Sequence, residues 1–151
     1  MAPTLNGGLR IDAEESRDWD VLRYVMIDAE PRLLAEHLTD QAGDEAEDWR
    51  EYVQPDLEQT FESQINFVRR AIAEATNAAA GGPGSLFIEK AQAESWYGAL
   101  NQARLALHAH YEFPEDDADA FAMPPPKRSA YFRYEFYMIL QDLLLKRVMT
   151  L

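Results

Sequence analysis

The sequence predicts a mainly α-helical fold, a single-domain helical bundle of about five helices over residues 1–151. Apolar residues recur every three or four positions in most segments, as they do on one face of a helix. Clusters of glycine and proline separate these segments. A chain of 151 residues is also the size of one domain with one core. Two short apolar segments, 8–11 and 85–90, allow a short two-stranded β-ribbon as well.

The N-terminal third contains three helical segments. Asp12 is expected to cap the first helix, which ends near Ala29, because Asp is a preferred N-cap residue. Glu14 and Glu15 then lie in the first turn, where the helix dipole favours anions. Pro31 fits the start of a second helix, since proline is tolerated in a first turn but not in a helix interior. This helix ends near Gly43. A short acidic helix, residues 44–52, follows.

Three longer segments complete the bundle. Pro55 opens a long helix whose apolar residues face a core, and the glycine-rich segment 76–85 stops it. A further helix runs from Gln92 to Tyr111, followed by an exposed, acidic and proline-rich crossover. The final helix, about 129–149, is apolar almost all round, which is typical of a helix at the centre of a bundle or at an interface.

Composition and charge exclude several functional classes. There is no cysteine, which excludes disulfides and cysteine nucleophiles and suits a cytoplasmic location. The net charge of −13 argues against nucleic acid, because a phosphate backbone is bound by Lys and Arg. No apolar run reaches the ~20 residues that span a membrane, and the N-terminus does not resemble a secretory signal. The charge is distributed unevenly along the sequence. Residues 1–55 contain fourteen acids and five bases, whereas residues 127–151 contain two acids and five bases.

Two histidines near the end of the fifth predicted segment suggest a metal site at first sight. On a helix, His108 and His110 point to nearly opposite sides, because successive residues are rotated by about 100°. His108 and Glu112 are four residues apart and are the weak candidates for chelation, but zinc usually takes three or four ligands and His37 is the only other histidine. We therefore expect a helix end here, with no metal and no cofactor.

The acidic residues after this helix end do not form a calcium loop. Their run lacks the glycine and the terminal bidentate glutamate of an EF-hand. It predicts a solvated segment instead.

Four polar residues stand on helices that are otherwise apolar. Asn101 and Arg104 belong to one helix, and Glu135 and Gln141 to the last. If the two helices pack antiparallel, Arg104 is expected to pair with Glu135 in a partly buried network. Such a network fixes the register of the helices, or lines a small pocket.

The same two helices resemble an uncharacterised bacterial family of unknown function. The stretches "ESWYGALNQARLALHAHYEF" and "YFRYEFYMILQDLLLKRV" carry its Leu-Asn-x-x-Arg-Leu-x-Leu helix and its tyrosine-rich last helix. The matching residues are Trp96, Leu100, Asn101, Arg104, Leu105, Leu107, Tyr134 and Gln141. The family position near His108 is usually small, so "HAH" is a local departure. Members are mostly small cytoplasmic proteins, often encoded near an adaptor of the Clp protease, and the resemblance implies an accessory role in regulated proteolysis and no catalytic residues.

Two functions remain open. The first is a non-catalytic protein–protein interaction or regulatory module, with a protein partner or a second copy of the chain covering the last helix at Phe136 and Tyr137. The second is a small-ligand or metal-binding protein that uses Asn101, Arg104 and His108. No serine, cysteine or carboxylate stands in a catalytic pattern, so an enzyme is not expected.

Overall fold

The structure, a computed structural model, describes residues 1–113 and 120–149 and is mainly helical, as predicted. Within these residues it has six α-helices, close to the expected number of about five, and the short acidic helix predicted at 44–52 is one of them. They are α1 (Ser16–Asp28), α2 (Pro31–Asp40), α3 (Ala46–Tyr52), α4 (Gln54–Ala78), α5 (Ala93–Tyr111) and α6 (Pro125–Leu144). A π-helical segment, Leu145–Met149, continues α6. The strands are β1 (Ala2–Pro3), β2 (Leu9–Ala13) and β3 (Gly84–Ile88).

The predicted ribbon is present but is part of a three-stranded antiparallel sheet. β2 pairs with β3, with Leu9 opposite Ile88, and β1 adds a short third strand to the other edge of β2. The predicted pairing of 8–11 with 85–90 is confirmed. The third strand was not expected, because a two-residue strand leaves no pattern in the sequence. Gly8 lets the strands approach: a Cβ there would lie 2.4 Å from the Ile88 carbonyl oxygen.

The first helix begins later than predicted. Asp12 does not cap it but lies in β2, where its carboxylate accepts a hydrogen bond from the Ser85 hydroxyl at 2.8 Å. That hydrogen bond lowers the pKa of Asp12. The N-cap is Glu15, which forms a capping box with Asp18. Backbone N–H groups of the preceding turn donate to the Asp18 carboxylate and lower its pKa.

The last helix begins earlier than predicted, at Pro125 rather than near residue 129. Prolines are tolerated in a first turn, where their missing N–H is not needed. Part of the predicted crossover, residues 114–119, lies outside the described residues.

Helix α5 lies at the centre of the fold. It packs against α1, α4 and α6 and contributes several residues to one hydrophobic core. The largest side chains that are fully buried include Trp19 of α1, Trp96 of α5 and Tyr137 of α6. In α6, one face enters this core and the opposite face lies in solvent, so α6 is not the central helix. None of the helices in the described part of the chain has the length and apolar character to span a bilayer.

Candidate functional site

A buried carboxylate joins the end of α1 to α6. The side chain of Asp28 is only 5% exposed. It accepts hydrogen bonds from Nε and Nη2 of Arg133 at 2.8 and 3.0 Å. The hydroxyl of Tyr137 donates to the same carboxylate at 2.5 Å. Because Arg133 and Tyr137 are four residues apart, they reach Asp28 from one face of α6.

The charges of this triad are fixed by their surroundings. Burial raises the pKa of the Tyr137 hydroxyl, and the negative charge of Asp28 raises it further. Burial alone would lower the pKa of the Arg133 guanidinium, but hydrogen bonding to Asp28 and its charge outweigh burial and raise it. The guanidinium also lies 4.7 Å from the centre of the Tyr24 ring, within the range of a cation–π contact. Arg133 is therefore a cation and Tyr137 a neutral phenol near neutral pH.

Asp28 and Arg133 of this triad line a cleft of about 450 Å³ between the α1–α2 corner and α5. Ile27 and Leu34 line one side of the cleft, and Leu107 lines another. The α5 surface of the cleft also includes Ala106 and Ala109. Because these two side chains are small, they leave room between the helices for a ligand.

Four polar side chains line the same cleft: Glu30, His37, His110 and Tyr111. Glu30, His37 and His110 are exposed, and Tyr111 is half-buried. The Nε2 atom of His37 lies 3.2 Å from the amide nitrogen of Gln41. Among the described residues, no three His, Asp or Glu side chains are grouped so that they could hold a metal ion. The cleft therefore offers hydrogen bonds rather than a ready metal site.

The two histidines of α5 have different surroundings. His110 lines the cleft, whereas the ring of His108 stacks on Tyr134 with centroids 6.0 Å apart. Glu112 ends α5 in the left-handed conformation, with φ at 52°, and its backbone N–H donates to the His108 carbonyl oxygen. Both histidines therefore stand in the last turn of the helix, as expected. His108 and Glu112 are not members of a metal-ligand group in the described part of the chain.

Three of the four polar residues on α5 and α6 come together. The Asn101 Oδ1 atom lies 3.4 Å from Gln141 Nε2 and 3.4 Å from Arg104 Nη2. The expected pair between Arg104 and Glu135 was wrong, since no ion pair joins these two described residues. Gln141 is six positions after Glu135, which places the two about 120° apart around α6. The buried Gln141 faces α5, so Glu135 points elsewhere.

The two aromatic residues proposed for an interface have different positions. Tyr137 is fully buried and bonded to Asp28, so the prediction that it contacts a partner was wrong. Phe136 is half-buried, and its ring contacts that of Tyr137 with centroids 6.0 Å apart. Phe136 remains a candidate interface residue.

A stripe of apolar side chains runs along the outer side of α6. It consists of Phe132, Phe136, Ile139 and Leu143, spaced by four, three and four residues, which places them on one side of the helix. Phe132 is 47% exposed and Ile139 is 55% exposed, whereas Phe136 and Leu143 are half-buried and pack against the core. We refer to these four residues as the α6 stripe.

A further exposed aromatic residue extends the apolar surface at one end. The Phe121 side chain is 77% exposed, and its ring centroid lies 6.4 Å from that of Phe132. The guanidinium of Arg128 lies 6.0 Å from the Phe121 ring centre. The α6 stripe therefore continues into an exposed aromatic pair with a cation beside it.

The comparisons with known proteins give a family and no named relative. A family model described as a domain of unknown function (DUF2017) matches residues 12–148. No curated protein and no solved structure matches the chain.

Proposed function

Because the chain belongs to the DUF2017 family, a family of unknown function, we propose a function from its own surface: a non-catalytic protein-interaction module that binds a partner helix through the α6 stripe. The family match confirms the resemblance noted in the last two helices and extends it to nearly the whole chain. One observation supports the proposal most directly. Phe132 and Ile139 of the α6 stripe are exposed to solvent, although α6 already buries its opposite face in the core.

The stripe suits a helical partner. Exposed apolar side chains that are contiguous on a surface mark interaction sites more often than isolated ones. An amphipathic helix recognises such a surface through residues at three- and four-residue spacing, which is the spacing of the α6 stripe. Replacing water at Phe132 and Ile139 with apolar partner atoms would supply the favourable free energy.

The charges next to the stripe indicate an acidic partner. Cations stand near both of its ends: Arg128 lies before Phe132, and Lys146 and Arg147 follow Leu143. Residues 127–151 carry five bases and two acids, although the whole chain has a net charge of −13. Arg133 is paired with Asp28 and Lys146 with Asp142. Outside these pairs, this segment has three bases, Lys127, Arg128 and Arg147, and one acid, Glu135. This surface therefore complements an acidic amphipathic helix better than a basic one.

The cellular role is proposed on the resemblance of the last two helices. Proteins that they resemble are often encoded near an adaptor of the Clp protease. This association supports an accessory role in regulated proteolysis in the cytoplasm, with the α6 stripe binding a component of that system.

The experiment compares capture of partners by matched variants. Tagged wild-type protein, Phe132→Gln and Phe87→Gln are used to capture proteins from lysate of the source organism, with quantitative mass spectrometry. Phe87 is a suitable control because it is 59% exposed and lies on β3, away from α6. Circular dichroism confirms that both variants are folded.

We expect a partner whose recovery falls at least tenfold with Phe132→Gln and is unchanged with Phe87→Gln. Cross-linking should then place an acidic amphipathic helix of that partner against Ile139. Equal loss of the partner with both variants, or recovery of the chain with only itself, would contradict the proposal.

A further inference from the structure

We propose that the cleft beside Asp28 and Arg133 binds a small organic carboxylate with an apolar body. The cleft brings together an oriented guanidinium, two imidazoles and apolar walls. This site is separate from the α6 stripe and does not depend on the interaction proposed there.

The guanidinium of Arg133 is the anchor for the carboxylate. Its Nε and Nη2 atoms are bonded to Asp28, and Nη1 has no hydrogen-bond partner among residues 1–113 and 120–149. The Tyr24 ring covers one face of the guanidinium. A guanidinium held in this way loses little side-chain freedom when its remaining N–H groups bind a carboxylate.

The other polar groups of the cleft favour an acceptor-rich ligand. His37, His110 and Tyr111 each supply a possible N–H or O–H donor. The Asp28 carboxylate already accepts three hydrogen bonds, so it has little capacity left for a cationic ligand. Glu30 is the one remaining acid that lines the cleft in the described part of the chain, and it is exposed at the rim.

The apolar residues indicate the body of the ligand. Ile27, Leu34 and Leu107 offer aliphatic contacts, and Ala106 and Ala109 leave space above α5. The volume of about 450 Å³ lies within the range of small-molecule sites. A carboxylate on a short aliphatic or aromatic chain would therefore reach Arg133 while its body lies against these residues.

The test uses three probes of matched shape: phenylbutyrate, phenylbutylamine and phenylbutanol. Binding is measured by NMR titration of the isotope-labelled protein, with the imidazole signals of His37 and His110 and the Nε–H signal of Arg133 as site-specific readouts. The variant Ala109→Leu fills the cleft. Ala73→Leu makes the same change at an exposed position of α4 and serves as the control.

We expect phenylbutyrate to shift these signals and the amine to leave them unchanged, with the alcohol at least tenfold weaker than the acid. Ala109→Leu should weaken binding of phenylbutyrate at least tenfold, and Ala73→Leu should not change it. His110→Ala should weaken it about fivefold, the usual effect of one hydrogen bond. Phe132→Gln should bind like the wild type, which separates this site from the partner surface.

Other outcomes would overturn the inference. Preferential binding of phenylbutylamine would show that the cleft takes cations, through Glu30 rather than Arg133. Equal binding of all three probes would show apolar binding only. Shifts that persist in Ala109→Leu would place the carboxylate outside the cleft.

Discussion

Replacement of Tyr137 by phenylalanine tests whether the buried triad holds α1 against α6. The change removes one hydroxyl and leaves the ring in the core, where Tyr137 is fully buried. The lost hydrogen bond goes to a charged acceptor, so the free energy of unfolding should fall by about 1.5–3 kcal/mol. For a chain of this length, that corresponds to a drop of about 3–12 °C in the melting temperature. Tyr52→Phe is the control, since Tyr52 is exposed and should change stability little.

The pH dependence of this variant gives a sharper test. The pKa of Tyr137 is raised in the folded state, mainly by burial. The stabilisation by the neutral phenol is therefore complete below the pKa of an unfolded tyrosine, about 10, and is lost as the pH rises above it. Above that pH, each further unit lowers the free energy of unfolding of the wild type by about 1.4 kcal/mol through Tyr137. Tyr137→Phe lacks this hydroxyl, so this contribution is absent in the variant.

Urea unfolding of both proteins measures this difference. The stability advantage of the wild type over Tyr137→Phe should narrow by about 2 kcal/mol between about pH 9 and about pH 11.5. An advantage that stays constant across this range would refute the account, because it would mean that Tyr137 ionises equally well in both states. If Tyr137→Phe is as stable as the wild type at neutral pH, the hydrogen bond from Tyr137 to Asp28 does not stabilise the fold.

Two further substitutions test the contacts that position the helices and the sheet. Asp28→Ala leaves the partly buried Arg133 without its counter-charge and should lower the free energy of unfolding by about 3 kcal/mol in urea titrations; a value near that of an exposed ion pair would contradict this. Gly8→Ala places a Cβ against the backbone oxygen of Ile88 and should cost about 1–3 kcal/mol. Gly82→Ala meets only ordinary contact at 3.5 Å and is the control in thermal unfolding; equal losses in both would show that space at Gly8 is not limiting.

The helices could be predicted because their causes are local. The long apolar repeat after Pro55 and the glycines near residue 81 determine where α4 begins and where the following turn lies. The ends of the helices and strands were harder to predict from the sequence. Asp12 suits an N-cap by residue type, but its carboxylate bonds across β2 and β3 to Ser85, seventy-three residues away. Whether Asp12 lies in a strand or caps a helix therefore depends on Ser85, which local sequence patterns do not reveal.

Among the candidate sites too, local features could be predicted and contacts between distant residues could not. Asn101, Arg104 and Gln141 were identified because polar residues stand out on apolar helices. The triad was not, because Asp28 and Arg133 are 105 residues apart and each is an ordinary surface residue type. The local signal for this triad is the four-residue spacing of Arg133 and Tyr137, which places both on one face of a helix. For the same reason Tyr137 looked like an interface residue, since burial cannot be read from the residue itself.

Site-specific photo-cross-linking tests the central claim most directly. A photoreactive amino acid replaces Ile139 on the α6 stripe or, as the control, Phe87 on β3, and both proteins are expressed in the source organism. The account predicts that residue 139 cross-links to an acidic amphipathic helix of one partner protein and that residue 87 does not. Cross-links of equal yield and identity from both positions, or cross-links from residue 139 only to a second copy of the chain, would contradict it.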